Sequence, residues 1–210
     1  MKKIVIATKN QGKVREMRTA LAALPVEVVA LSDFGDLPEA VEDGTTFAEN
    51  AKIKAEFYAK QTGCACIADD SGIEVEALGG APGIHSARYA GYHADDETNN
   101  AKLIAELGKL GRTESPADYR CALVFVDAPD AVAALREPGH ELETEGRCDG
   151  VVRVDQGPRG DGGFGYDPYF YVEAYPGHTI AELTLEQKDR ISHRGAALRA
   201  MVARLEEYLK

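Results

Sequence analysis

The sequence lacks long apolar runs, basic runs and Cys-x-x-Cys pairs, and each absence excludes a class of protein. No apolar stretch reaches the length that a transmembrane helix needs. The cysteines are Cys64, Cys66, Cys121 and Cys148, and a single residue between the first two is a poor spacing for zinc or a disulfide. We therefore expect buried, reduced thiols.

The charge balance is acidic, with a formal net charge of -11. Duplex nucleic acid binds through clustered Lys and Arg, so this charge argues against DNA or RNA as a partner. A small anionic ligand stays compatible, because a few cations can create a local positive field. Residues 1–3 lead directly into a short strand-like segment rather than a signal-peptide core, which predicts a cytoplasmic protein without a membrane partner.

The order of apolar patterns predicts an α/β fold with a mixed sheet. The chain is long enough for one domain over residues 1–210, or for two closely packed lobes, and shows no clear linker. Helices and strands alternate early, from an opening β-α-β unit, and strands cluster late. The predicted strands are Lys3–Ala7, Val26–Leu31, Cys64–Ala68, Ile73–Ala77, Tyr119–Val126, a pair around Asp149-Gly150 within Glu141–Val154, and Tyr169–Val172. The predicted helices start at Gly12 and at a capping box on Thr46, and continue with Asp95–Leu110, Thr184–Ile191 and Ala196–Leu209.

The segment Thr8-Lys9-Asn10-Gln11-Gly12-Lys13 lies between the first predicted strand and helix. Free amides at a helix start bind anions, Gly12 permits close approach and Lys13 adds charge. It is not a Walker A loop, because its first glycine is absent and Val14 stands where Ser or Thr should follow the lysine. The segment is either a phosphate-binding loop or an ordinary β-α turn with a surface lysine.

Asp69-Asp70-Ser71-Gly72 follows a predicted buried strand, where ligands of open α/β sheets bind. Adjacent strand residues point to opposite faces, so one aspartate is a candidate metal ligand and the other its support. An Asx turn is the alternative. On the preceding helix, Lys54 shares the apolar spacing of the inward face, where an unpaired lysine is costly unless it faces an anion.

Two late segments could recognise a base. Residues 160–168 match Gly-x-Gly-x-x-Gly, but a strand-like segment follows where a dinucleotide fold needs a helix. The aromatics Phe164 and Tyr166 suit a platform for base stacking, or else pack in the core. The cluster of Lys188, His193 and Arg194 supplies many hydrogen-bond donors, or else marks a solvated helix end.

Six segments together resemble the Ham1/RdgB inosine-triphosphatase family. They occur in the family's order along nearly the whole chain, which is more specific than any single motif. They are TKNQGK at 8–13, FAENAKIKA at 47–55, IADDSGIEV at 67–75, LGGAPGIHSARYAG at 78–91, GGFGYDP at 162–168 and SHRGAAL at 192–198. The chain departs from the family's pattern at His85, where tyrosine is frequent.

The resemblance implies an elongated mixed sheet flanked by helices, two lobes with a central cleft, and a homodimer. It also implies Mg²⁺-dependent hydrolysis of ITP, dITP and XTP to monophosphate and pyrophosphate, which cleanses the nucleotide pool of non-standard purines. A Maf-type pyrimidine pyrophosphatase fits less well, because SHRG and FGYD favour Ham1. A nucleotide sensor needs no water-activating carboxylate, so the retention of Glu42 and Asp70 favours an enzyme.

The resemblance also assigns roles to residues. Triphosphate binding falls to the 8–13 segment with Lys54, and Mg²⁺ binding to Glu42 and Asp70. Asp70 is in addition the base for water, with Asp69 in support. Ser71 would contact the nucleotide and Phe164 would stack on its base. The base and sugar site would be completed by Gly165, Tyr166, Asp167, Lys188, His193 and Arg194.

Overall fold

The computed structural model describes residues 1–128 and 141–210. The strands of this part are β1 (Lys2–Ile6), β2 (Val26–Ala30), β3 (Ala65–Val75), β4 (Glu114–Val126), β5 (Glu141–Arg153) and β6 (Phe170–Val172). Its helices are α1 (Gln11–Leu21), α2 (Phe47–Thr62), α3 (Asp96–Lys109), α4 (Leu185–Ile191) and α5 (His193–Tyr208). The sheet order is β2-β1-β3-β4-β5-β6, with β1 parallel to β2 and β3, and β5 antiparallel to β6. The predicted α/β fold with a mixed sheet is confirmed.

The chain forms two compact units, each with its own apolar core. Unit 1 comprises Met1–Asp70, Cys121–Glu145 and Ala197–Lys210, and unit 2 comprises Ser71–Arg120 and Gly146–Ala196. The core of unit 1 is built on side chains of β1, α1, β4 and α5. The core of unit 2 is built on side chains of β3, α3, β4, β5 and β6.

The opening β-α-β unit forms as its sequence pattern predicts. The apolar residues Val14, Met17 and Leu21 of α1 are all buried. The next helix, α2, begins where the Thr46 side chain accepts a hydrogen bond from the Glu49 amide. It ends at Gly63, whose φ of 66° is a left-handed conformation that glycine adopts without strain.

The four thiols are free, as predicted, and Cys66, Cys121 and Cys148 are buried while Cys64 is half-buried. Burial raises the pKa of Cys66 and that of Cys148 to about 12. These two thiols are therefore protonated and unreactive in the folded protein. None of the described helices is long and apolar enough to span a membrane.

The predicted pair of strands around Asp149-Gly150 is wrong, because β5 is one continuous strand. Gly150 pairs with Val172 of β6 in its interior. A Cβ atom at Gly150 would lie 2.3 Å from the Tyr171 carbonyl oxygen and 2.7 Å from Phe170 Cζ. The glycine thus permits close packing inside a strand rather than a turn. Likewise the two strands predicted over Cys64–Ala68 and Ile73–Ala77 form one strand, β3, which ends at Val75. The prediction that Asp69 and Asp70 follow a strand is therefore wrong, because both lie inside β3.

Replacing Gly150 with alanine is expected to lower the free energy of unfolding by about 1–3 kcal/mol or more, because the added methyl group overpacks the β5–β6 contact. Urea denaturation measures the change. Gly108→Ala is the matched control, since that glycine lies in α3 with nothing within 4 Å of the added atom. The control is expected to gain stability from its higher helix propensity. Equal stability of the two variants would contradict the packing argument.

Candidate active site

The loop between β1 and α1 is organised by Asn10. Its side-chain oxygen accepts hydrogen bonds from the amides of Gly12 and Lys13, at 2.9 and 3.1 Å, and so caps the helix. The Thr8 hydroxyl accepts a hydrogen bond from the Asn10 amide. Gln11 is exposed. The Gly12 and Lys13 amides are therefore engaged by Asn10, so the free amides expected of an anion-binding turn are not found at these two residues.

The two lysines of this loop have different surroundings. Lys9 is exposed and pairs with Glu39 at 3.0 Å. Lys13 keeps only 15% of its side chain exposed and pairs with the fully buried carboxylate of Asp69 at 2.8 Å. The alternative of an ordinary turn with a surface lysine therefore does not describe Lys13. Its ammonium group is fixed by a carboxylate from the interior of β3.

Lys54 of α2 bridges two carboxylates. Its Nζ atom lies 2.7 Å from Glu42 Oε2 and 3.3 Å from Asp70 Oδ1. Burial by itself lowers the pKa of Lys54, but the charges of Asp70 and Glu42 outweigh it and hold the pKa above its ordinary value. The prediction that Lys54 lies on the inward face of its helix opposite an anion is confirmed. The anion is this pair of carboxylates.

Asp70 is nearly buried, and both of its carboxylate oxygens are engaged. Oδ1 contacts Lys54, and Oδ2 accepts a hydrogen bond from Asn50 Nδ2 at 3.1 Å. Burial raises the pKa of Asp70, and Glu42 adds to this, against the opposing effects of Lys54, Lys13 and Asn50. Asp69 and Asp70 therefore contact different helices, α1 and α2, in accord with their adjacent positions in a strand.

The donor set suits a hard divalent cation. Glu42 and Asp70 direct one oxygen each towards a single point, which the Lys54 ammonium occupies. Within residues 1–128 and 141–210, no three His, Cys, Asp or Glu side chains form a complete cage for a metal. Two carboxylates are the set that Mg²⁺ uses when waters and substrate phosphates supply its other ligands.

The glycine-rich loop of unit 2 separates its two aromatic residues. Tyr166 is buried in the core of the unit and donates a hydrogen bond to the Ser86 carbonyl oxygen at 2.8 Å. Phe164 is only partly buried, and its amide is held by Asp167 Oδ2 at 3.1 Å. Core packing therefore describes Tyr166, whereas Phe164 is only partly buried and lies outside the buried core of the unit. The exclusion of a dinucleotide fold is confirmed, because a 3-10 turn and β6 follow the loop.

Helix α3 holds this loop through the backbone of Gly165. Asp96 Oδ2 accepts a hydrogen bond from the Gly165 amide at 2.7 Å, and Asn100 Nδ2 donates to its carbonyl oxygen at 2.9 Å. Asp96 and Asn100 are one turn apart on α3, so both side chains can bind the backbone of Gly165 at once. Gly165 has a φ of 64°, which a glycine adopts without strain. Helix α3 thereby holds the residue that follows Phe164 through both its N–H and its carbonyl group.

Two cations lie over the Phe164 ring. Lys188 Nζ is 5.3 Å from the ring centroid and 2.8 Å from Asp167 Oδ2. The Arg194 guanidinium carbon is 5.6 Å from the centroid, and Arg194 Nη2 donates to Ser71 Oγ at 3.0 Å. Arg194 is among the largest fully buried side chains of the protein. The structure thus places Lys188 and Arg194 over the Phe164 ring, with Asp167 and Ser71 as their respective partners.

The prediction that α5 begins at Ala196 is wrong, because the helix begins at His193. The cause is a helix cap on Ser192, whose side chain accepts a hydrogen bond from the Gly195 amide at 3.0 Å. His193 and Arg194 therefore occupy the first turn of α5, and both are buried. The alternative of a solvated helix end does not describe them.

Two contact residues of these sites, Asn50 and Tyr119, escaped the sequence analysis. The Tyr119 ring stacks on His193 with centroids 4.8 Å apart and 9° between the planes. Burial and the adjacent Asp167 carboxylate raise the pKa of Tyr119 well above its ordinary value. Asn50 carried a signal, since it precedes Lys54 by one helical turn on a buried face, whereas Tyr119 only looked like part of an apolar strand.

The fold and the lysine–carboxylate cluster define an α/β protein in which one lysine joins two carboxylates. The chain belongs to the Ham1 family, which it matches over residues 4–204. It is 48% identical to a Geobacter sulfurreducens protein named dITP/XTP pyrophosphatase, over 94% of each chain. A Geobacillus kaustophilus protein of the same name is also 48% identical, over 99% of this chain and 96% of that one. The structure of a HAM1 protein from Coxiella burnetii superposes with a TM-score of 0.85 at 38% identity, covering 99% of this chain and 100% of the other.

Proposed function

We propose that this protein is a nucleoside-triphosphate pyrophosphatase that hydrolyses ITP, dITP and XTP to the monophosphate and pyrophosphate. The observation that carries the proposal is the buried cluster in which Lys54 joins Glu42 and Asp70. Such a cluster supplies a positive charge for the triphosphate and two carboxylates for its metal ion. The names of the Geobacter and Geobacillus relatives support the same reaction.

The phosphate part of the substrate is assigned to unit 1. Water attacks the α-phosphorus and expels pyrophosphate, so the residues must neutralise charge on the leaving group and orient one water. Lys13 and Lys54 supply positive charge, and the loop from Thr8 to Lys13 would contribute its side chains, since Asn10 holds the Gly12 and Lys13 amides. Glu42 and Asp70 would hold Mg²⁺, which neutralises phosphate charge when bound. Lys54 would then exchange its carboxylate partners for phosphate oxygens.

Asp70 is proposed to accept the proton of the attacking water. Only its ionised form does so, and burial raises the pKa of this carboxyl. Activity is therefore expected to increase towards alkaline pH, as the ionised fraction rises. Asp69 supports the site through Lys13, which it holds at 2.8 Å.

The base is assigned to unit 2. We propose that it stacks on Phe164, with Lys188, His193 and Arg194 donating hydrogen bonds to its edge. The two cations over the Phe164 ring support this, because the donors and the stacking surface lie together. Ser71 would contact the nucleotide beside Arg194, and Asp167 would fix Lys188. Gly165 and Tyr166 would shape the loop.

Product analysis tests the proposed reaction. Incubation with ITP, dITP or XTP and Mg²⁺ is expected to give monophosphate and pyrophosphate, and chelation of the metal is expected to stop it. Release of diphosphate and orthophosphate would place the attack at the γ-phosphorus and contradict the mechanism. Binding without turnover would identify a nucleotide sensor, and preference for a modified pyrimidine triphosphate would favour the Maf-type alternative.

We also propose that the enzyme works as a homodimer in the cytoplasm. Four free thiols, of which three are buried, suit a reducing compartment. The dimer follows from the family resemblance. Sedimentation velocity at several protein concentrations tests it, and a monomer at all concentrations would contradict it.

A further inference from the structure

Asn50 connects the two segments that carry the carboxylates of the cluster. It is completely buried on α2. Its Oδ1 atom accepts a hydrogen bond from the Gly44 amide at 2.9 Å, and its Nδ2 atom donates to Asp70 Oδ2 at 3.1 Å. Gly44 follows Glu42 by two residues in the chain. One amide side chain therefore ties the segment of Glu42 to Asp70 in β3.

The orientation of this amide follows from its partners. The Gly44 backbone N–H only donates, so it requires the Oδ1 atom of Asn50. An ionised Asp70 only accepts, so it requires the NH₂ group. The reversed amide would place donor against donor and acceptor against acceptor. Asn50 and Lys54 lie four residues apart on α2, so one helix face supplies a donor to each oxygen of Asp70.

The contact with Gly44 is closer than any other residue type would permit. A Cβ atom at Gly44 would lie 2.8 Å from Asn50 Oδ1, 2.8 Å from Glu49 Cβ and 3.0 Å from the Asn50 amide nitrogen. The segment that carries Glu42 is thus pressed against α2 at the residue that also holds Asp70. Asn50 therefore contacts both this segment and Asp70, in addition to the bridge that Lys54 makes between the two carboxylates.

We propose that Asn50 is a positioning residue that orients Asp70 and holds the Glu42 segment, so that both carboxylates are arranged in advance for one divalent cation. This inference rests on the proposed function, because it takes Glu42 and Asp70 as the metal ligands. Lys54 occupies the shared point between the carboxylates and keeps them from repelling each other. Asn50 carries no charge and so fixes their geometry without competing for the metal.

The test replaces Asn50 with leucine, which has a similar size and removes both hydrogen bonds. Mn²⁺ alone is titrated into the protein and followed by electron paramagnetic resonance, and the Mg²⁺ dependence of ITP hydrolysis is measured separately. We expect about tenfold or greater weakening of Mn²⁺ binding, as is typical when a group that orients metal ligands is removed. The Mg²⁺ concentration for half-maximal activity should rise in parallel, with KM for ITP at saturating Mg²⁺ little changed.

Asn99→Leu is the matched control. Asn99 is also buried on a helix and also bridges two groups, since it accepts from the Ala90 amide and donates to the Ala87 carbonyl oxygen. Both groups belong to the backbone, and neither is a carboxylate. The control is expected to keep the Mn²⁺ affinity of the unchanged protein even where its thermal stability falls. Equal weakening in both variants would show a general loss of structure and overturn the proposal.

A second variant tests the same role if Asn50→Leu does not fold. Gly44→Ala forces the segment away from Asn50 and is expected to weaken Mn²⁺ binding in the same direction. Unchanged Mn²⁺ affinity in either folded variant would overturn the positioning role. The proposed function is tested separately by Glu42→Gln and Asp70→Asn. If these two bind Mn²⁺ as the unchanged protein does, the assigned metal ligands are wrong and the inference about Asn50 is overturned with them.

Discussion

Replacing Asp70 with asparagine is expected to lower kcat for ITP by about 10³-fold or more, because it removes a metal ligand and the proton acceptor together. The amide keeps the shape of the carboxyl group, so substrate contacts elsewhere should survive. Steady-state kinetics at saturating Mg²⁺ measure the effect. Lys13→Ala is the informative comparison, since loss of a phosphate contact should raise KM as well as lower kcat.

The loss of activity should not come from unfolding. A group whose pKa is raised by folding stabilises the protein in its protonated form, and that contribution is lost as the pH rises through the raised value. Burial raises the pKa of Asp70, so its ionised form is the less favourable one in the folded protein. The neutral amide avoids this penalty but turns its NH₂ group towards a donor, Lys54 Nζ or Asn50 Nδ2, so these effects oppose each other and the variant should stay folded without metal, as circular dichroism would show. A near-normal kcat at saturating Mg²⁺ would remove Asp70 from the role assigned to it.

The contacts of Lys54 with carboxylates could be anticipated in part because the signal for its position is local. The inward position of Lys54 follows from helical spacing, whereas Asp69 and Asp70 were expected after a strand and lie inside β3. Asn50 escaped because its partners, Gly44 and Asp70, lie 6 and 20 residues away in the chain. Its role depends on which segments the fold brings together, and no periodicity shows that.

Errors in the predicted elements arose where one residue type serves two purposes. Asp149-Gly150 is a strong turn signal, yet Gly150 provides room for Phe170 and Tyr171 of the neighbouring strand. Ser192 is a good helix-capping residue type, but only the hydrogen bond from the Gly195 amide to its side chain shows that it caps α5. Glycine and serine thus indicate special backbone positions, and tertiary contacts decide whether such a position is a turn, a close strand contact or a helix cap.

Rejection of ATP is proposed to depend on donors that face the 6-position of the purine. Hypoxanthine and xanthine carry a 6-keto acceptor there, whereas adenine carries an amino donor. Arg194 is buried beside Phe164 and keeps its guanidinium close to Ser71, so its direction is fixed before substrate binds. A buried donor left without a partner costs about 1–3 kcal/mol, and two or three such donors give discrimination on the order of 10²–10⁴.

Replacing Arg194 with alanine is therefore expected to lower kcat/KM for ITP by about 10²-fold and to leave the low rate with ATP nearly unchanged. The ratio of the two rates is the measurement, because a fraction of unfolded enzyme reduces both by the same factor. Arg190→Ala is the control, since Arg190 is 70% exposed and pairs with Glu186 on the surface of α4. That variant should keep the ratio of the unchanged protein. A fall of ITP and ATP rates by one common factor in Arg194→Ala would assign Arg194 to sugar or phosphate binding, and the discrimination against ATP would have to reside in Lys188, His193 or Asp167.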